Sequence, residues 1–106
     1  MARVPLCRLD QLHDDQLLLD VPGQDEMVLV VRDGLDVHVV EGHCPHQFAP
    51  LLGGQVEACV LTCPVHGWRF DLRTGVSPDS PFLRVRRWPA QVEAGVVWID
   101  TGPDEP

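Results

Sequence analysis

The residues with the richest chemistry lie in HCPHQFAPLLGGQVEACVLTCPVHGW, residues 43–68. Two Cys–His pairs frame this stretch, Cys44-Pro45-His46 and Cys63-Pro64-Val65-His66, with sixteen residues between His46 and Cys63. A thiolate is soft and electron-rich, whereas a neutral imidazole is harder. Four such side chains suit a tetrahedral ion or an iron–sulfur cluster. Either pair alone is weak evidence, but two pairs on two Pro/Gly-rich stretches define a metal site. Spacing alone leaves structural zinc and redox-active iron both open. Between the pairs, Cys59 reads as a semi-buried small hydrophobe on a strand, as does Cys7. His43 reads as a loop residue, and His13 and His38 as surface and strand histidines.

The elements that must position these ligands are short strands. In 106 residues, 44% hydrophobic and 23% charged, the composition is that of one globular domain, residues 1–106. No apolar run approaches the ~20 residues of a membrane span. The opening MARVPLCRLD lacks a secretory pattern, so a soluble, cytoplasmic chain with no membrane partner is expected. In that compartment, cysteines crowded beside histidines favour metal over disulfides. A net charge of −8 argues against nucleic acid as a partner. Residues 1–43 hold nine acids against Arg3, Arg8 and Arg32, an imbalance that suits docking onto a protein.

Strand signals fall at Val4–Cys7, Gln16–Asp20, Glu26–Arg32 and Leu35–Glu41, with Asp33-Gly34 as the turn of a hairpin. Further strands are expected at Gln55–Leu61, Trp68–Asp71, Leu83–Arg86, Gln91–Glu93 and Val96–Asp100. One helical turn is expected around Leu9–Leu12, and Trp88 and Trp98 read as core. The implied class is all-β, an antiparallel sandwich or barrel. Residues 43–54 and 62–68 interrupt it as two loops, each carrying one Cys–His pair. Residues 75–82 form a third, proline-rich loop, and the tail 102–106 is expected to fray.

The run Cys-x-His, sixteen residues, Cys-x-x-His-Gly-Trp, then Phe-Asp-x-x-x-Gly resembles the Rieske iron–sulfur proteins, specifically from Gly42 to Gly75. Strand pattern and length are similar to the small Rieske ferredoxins of bacterial multicomponent oxygenases. The resemblance implies a Rieske-type antiparallel β fold with a cluster-binding subdomain, residues 43–70, formed by the two loops. It also implies one [2Fe–2S] cluster per chain, with Cys44 and Cys63 on one iron and His46 and His66 on the other. Exchanging two thiolates for two neutral imidazoles makes the site less negative. The potential of such centres therefore rises to about −150 to +300 mV, against about −400 mV for all-Cys plant-type ferredoxins. Respiratory Rieske proteins add a disulfide between the loops and two hydroxyl donors. This chain has Ala49 and Val65 at the cysteine positions, and Trp68 and Phe70 at the hydroxyl positions. Without those donors the potential is expected at the low end, below 0 mV.

The resemblance further implies an electron carrier rather than an enzyme. It would shuttle single electrons, as a monomer, from an NAD(P)H-dependent flavin reductase to a terminal oxygenase. Cys-Pro-His-Gln, the Trp two residues after His66 and Ser-Pro-Asp after the Thr-Gly turn look most like ferredoxins of diiron aromatic or hydrocarbon monooxygenases. Alternatives are a ferredoxin of a ring-hydroxylating dioxygenase, the small subunit of an assimilatory nitrite reductase, and a zinc-stabilised interaction module. Around the cluster, Gln47, Phe48, Pro50, Trp68 and Pro81 are candidates for a partner-docking rim, where aromatics are favoured.

Overall fold

A computed structural model describes residues 3–44, 49–65 and 67–100 of the chain. Among the described residues ten strands follow in order: β1 (Arg3–Arg8), β2 (Gln16–Asp20), β3 (Met27–Asp33), β4 (Asp36–Glu41), β5 (Gln55–Glu57), β6 (Val60–Thr62), β7 (Arg69–Asp71), β8 (Arg87–Trp88), β9 (Ala90–Glu93) and β10 (Val96–Asp100). A single 3₁₀ turn, Leu9–Gln11, is the only helix among the described residues. The strands form three antiparallel sheets, ordered β1-β10-β9, β2-β3-β4-β8 and β5-β6-β7.

The middle sheet of the stack explains the most apolar run of the sequence. In β3, Val28, Leu29, Val30 and Val31 are all fully buried, although antiparallel strands commonly alternate. Val28 and Val30 face a core shared with Leu6, Val97, Ile99 and Trp88 of the neighbouring elements. Leu29 and Val31 face the opposite way, into a second core with Leu51, Leu61, Phe70 and Leu72. Successive side chains of a strand point to opposite faces, so a strand covered on both sides must be apolar throughout. The β2-β3-β4-β8 sheet thus divides the base of the molecule from the subdomain that carries the Cys–His loops.

Several expected elements fall within a residue of the observed ones, and the expected all-β antiparallel class holds. Four details differ. Gln55–Leu61 is not one strand but the hairpin β5–β6, with Glu57 paired to Val60 around Ala58-Cys59. Both turn residues have positive φ, 53° and 64°, the mirror-image geometry that two-residue hairpins require. Apolar side chains there hide the turn from the sequence, because Gly or Asn normally marks it. Tertiary contacts hold it instead: the Cys59 N–H donates to Asp33 Oδ2 at 3.1 Å, and the Cys59 carbonyl accepts from the Leu72 N–H at 2.8 Å.

The strand expected at Leu83–Arg86 begins only at Arg87, because residues 83–85 pair locally with the proline-rich loop. Val76 bridges Arg84, and the Val85 N–H donates to Gly75 O at 2.8 Å. The β3–β4 turn sits one residue later than expected: Asp33 pairs with Asp36, and Gly34, at φ 64°, takes the first turn position. Finally, Trp88 is core as expected, but Trp98 is half-buried on β10 with the Arg3 guanidinium 5.1 Å from its ring centroid.

Candidate metal centre

Each cysteine of the motif stands on its own hairpin. After β4 ends, the chain makes a narrow stem: the Leu51 N–H donates to Gly42 O at 3.0 Å, His43 bridges Pro50, and the Cys44 N–H donates to Ala49 O at 2.7 Å. Gly42 permits this by lying close against β2, where a Cβ would meet Leu18 Cδ1 at 2.6 Å. The second loop joins β6 to β7. There the Cys63 N–H donates to Trp68 O at 2.7 Å and the Gly67 N–H to Cys63 O at 3.0 Å. Gly67 adopts φ 76°, the left-handed conformation that glycine tolerates best.

Both motif cysteines are 1% exposed and belong to one apolar cluster with Leu51, Leu61, Phe70 and Leu72. Ala49, Trp68 and Leu83 are partly buried against it. Burial of this kind keeps water from a sulfur ligand, and a soft thiolate pair suits iron. The described half of the donor set therefore fits an iron–sulfur cluster. His46 and His66 lie outside the described residues, as do Gln47 and Phe48 of the expected rim. Of the other rim residues, Pro50 and Pro81 are exposed and Trp68 is half-buried.

The proline-rich third loop is fastened to the second. The Ser77 N–H donates to Leu83 O at 2.8 Å, closing the loop on itself. Arg69, just after Trp68, reaches Asp79 through two hydrogen bonds. That pairing holds the Asp79 carboxyl below the usual carboxylate range. Next along this loop, Phe82 is 94% exposed, a surface aromatic outside the rim expected from the sequence. Its signal was present in Ser80-Pro81-Phe82, an aromatic residue with no strand periodicity to bury it.

The other cysteines stay away from this constellation. Cys7 is buried in the base core, and burial pushes its thiol pKa up. Cys59 sits on the strained β5–β6 turn, where its hydrogen bond to Asp33 also raises its pKa. Neither Cys44 nor Cys63 lines either of two surface grooves, one beside the Asp14-Asp15 turn and one beside Trp98.

Comparison with known proteins shows the family to which the chain belongs. The Rieske [2Fe-2S] domain family model matches residues 2–89. The chain is 34% identical to the ferredoxin component of the alkene monooxygenase system of Xanthobacter autotrophicus, covering 94% of this chain and 82% of that protein. It is 35% identical to the 4beta-methylsterol monooxygenase of Methylococcus capsulatus over 76% of its length, but spans only 24% of that protein. Among solved structures, the ferredoxin of carbazole 1,9a-dioxygenase from Nocardioides aromaticivorans superposes with a TM-score of 0.79 at 33% identity, over 93% of this chain and 97% of that one. A nitrite reductase small subunit from Mycobacterium tuberculosis reaches a TM-score of 0.81, covering 92% and 93% of the two chains. Its 23% identity speaks for the fold alone.

Proposed function

Because the chain belongs to the Rieske [2Fe–2S] domain family, we propose that it is the ferredoxin of a multicomponent oxygenase. It accepts single electrons from an NAD(P)H-dependent flavin reductase and hands them to a terminal oxygenase, in the first instance a diiron hydrocarbon monooxygenase. Cys44 and Cys63 hold one iron and His46 and His66 the other. When bound, the cluster supplies one-electron redox chemistry at a potential set by its ligands and surroundings.

The observation that carries this reading is the placement of Cys44 and Cys63. Both are buried in one apolar shell, on two adjacent hairpins at one end of a stacked β scaffold. The chain's residues shield the sulfurs and hold the stems of the two loops. Among the described residues, Pro50, Trp68 and Pro81 are the candidates for the docking rim, and exposed Phe82 beside Pro81 joins them. The likeness to a monooxygenase ferredoxin over most of both chains favours that system. The carbazole dioxygenase ferredoxin supports a ring-hydroxylating dioxygenase as the second reading.

The deciding experiment is reconstitution. Purified protein is expected to be red-brown and, once reduced, to give a rhombic EPR signal. Added to a ferredoxin-depleted alkene monooxygenase system with its reductase, it is expected to restore NAD(P)H-dependent alkene oxidation. Restoration only of a dioxygenase would select the second reading, and a colourless zinc protein would end both.

A further inference from the structure

Gln16 opens β2 and is one of two buried polar residues among the described ones, at 8% exposure. Its side chain reaches across 37 and 38 residues of sequence to the end of the first Cys–His loop. Oε1 accepts the Gly53 N–H at 2.8 Å, and Nε2 donates to the Gly54 carbonyl at 2.7 Å. The carboxamide thus acts as a peptide group of an added strand, with one donor and one acceptor matched to one orientation of the amide.

Both ends of this clamp are themselves held. On the loop side, a Cβ at Gly54 would lie 2.3 Å from Thr62 O, so the backbone is pressed against β6 next to Cys63. From there the Gly54 N–H donates to Leu51 O, the Leu51 N–H to Gly42 O, and the Cys44 N–H to Ala49 O. A continuous ladder therefore links the clamp to Cys44. On the base side, Gln16 exchanges backbone hydrogen bonds of 2.8 and 3.0 Å with His13 across the Asp14-Asp15 turn. Both aspartates have positive φ, 50° and 65°, a cost borne where surrounding contacts fix the turn. Arg32 supplies them: its N–H donates to Asp15 O at 2.8 Å, and its guanidinium binds Asp15 Oδ1 at 3.1 and 2.8 Å.

We infer that Gln16 is a positioning residue for the cluster: its carboxamide places Gly53–Gly54 and, through the loop stem, Cys44, and so governs how firmly the cluster is retained. This rests on the reading of Cys44 as a ligand. Removing the clamp leaves the buried Gly54 carbonyl without its donor. A buried polar group left without its partner corresponds to roughly a tenfold change in an equilibrium.

The test compares holo wild type, Gln16→Glu and Gln16→Leu, following visible absorbance after addition of an iron chelator between pH 5.5 and 8. At pH 8, Gln16→Glu sets a carboxylate oxygen against the Gly54 carbonyl, and cluster loss is expected about tenfold faster than in wild type. As pH falls, protonation restores one donor and one acceptor, so the ratio to wild type is expected to return toward one. Gln16→Leu is expected to lose the cluster faster at every pH. His13, Asp14, Asp15, Arg32 and Asp33 line the same groove of about 470 Å³ and are present in all three proteins, so each ratio compares variants with the same neighbouring groups.

Hydrogen exchange read by mass spectrometry is expected to quicken in residues 42–54 and to stay unchanged in β3. Equal loss of protection in β3 would reduce Gln16 to a general stabiliser and overturn the inference. So would a pH-independent Glu/wild-type ratio, or wild-type retention in both variants. A wild type that binds no cluster would refute the ligand reading instead, while exchange in residues 42–54 would still decide whether Gln16 clamps the loop.

Discussion

Arg69 and Asp79 form a bidentate ion pair, Nε to Oδ2 at 2.9 Å and Nη2 to Oδ1 at 2.5 Å. It joins the residue after Trp68 to the middle of the proline-rich loop and so fastens the third loop to the second. Because the pairing depresses the Asp79 pKa, its stabilising contribution is present above the ordinary carboxylate value of about 3.9 and is lost as pH falls through the lower folded value. Asp79→Asn mimics the protonated state at neutral pH. It is expected to quicken proteolytic nicking of residues 77–83 while leaving the melting temperature nearly unchanged, since the pair is exposed. Unchanged nicking would show that the backbone bonds of Ser77 and Val85 suffice alone.

Phe70, for which the motif resemblance implies a hydroxyl in respiratory Rieske proteins, is fully buried among Leu51, Leu61 and Leu72. With no hydroxyl to stabilise sulfur charge, the midpoint potential is expected near −150 mV, to order of magnitude. Phe70→Tyr is expected to raise it in a potentiometric titration. A wild-type value far above zero would contradict the argument. Phe70→Ala is expected to lower unfolding stability by about 3–5 kcal/mol, the usual cost of emptying so large a buried site.

His66→Ala is expected to lose or disrupt the cluster, read as loss of the visible spectrum and of the reduced EPR signal. Cys59→Ser serves as the contrast and is expected to keep both. Cys59 lies on a separate turn, and its hydrogen bond to Asp33 holds the thiol protonated. A native-like spectrum in His66→Ala would reassign that ligand.

Four acids near the N-terminal half, Asp14, Asp15, Asp25 and Glu26, stand out for partner steering. Asp15 and Glu26 are engaged with Arg32 and Arg86, so Asp14 and Asp25 are the cleaner positions. Asp14→Lys with Asp25→Lys is expected to change the coupled turnover rate and flatten or invert its salt dependence, at an unchanged potential. Indifference of turnover to both reversals would return these residues to solubility.

What the sequence by itself determined is the family motif and the candidate donor set. Side-chain type and spacing are local properties, and Cys44-x-His46 with Cys63-x-x-His66 shows both in two short windows. The same holds for strands whose turns are written in glycine, such as β10 after Ala94-Gly95 and β4 after Gly34. Only the tertiary structure decided how the loops are held. The β5–β6 turn at Ala58-Cys59 bends because Asp33 and Leu72 grip it, contacts that no local pattern encodes. Gln16 reads as an unremarkable polar residue at the head of QLLL until folding brings Gly53 and Gly54 beside it. Likewise the continuous apolar run of β3 marks a buried strand, but which core each valine faces depends on the sheets stacked on either side. A hydrogen bond across nearly forty residues exists only once the chain has closed, whereas a ligand's affinity for iron belongs to its side chain.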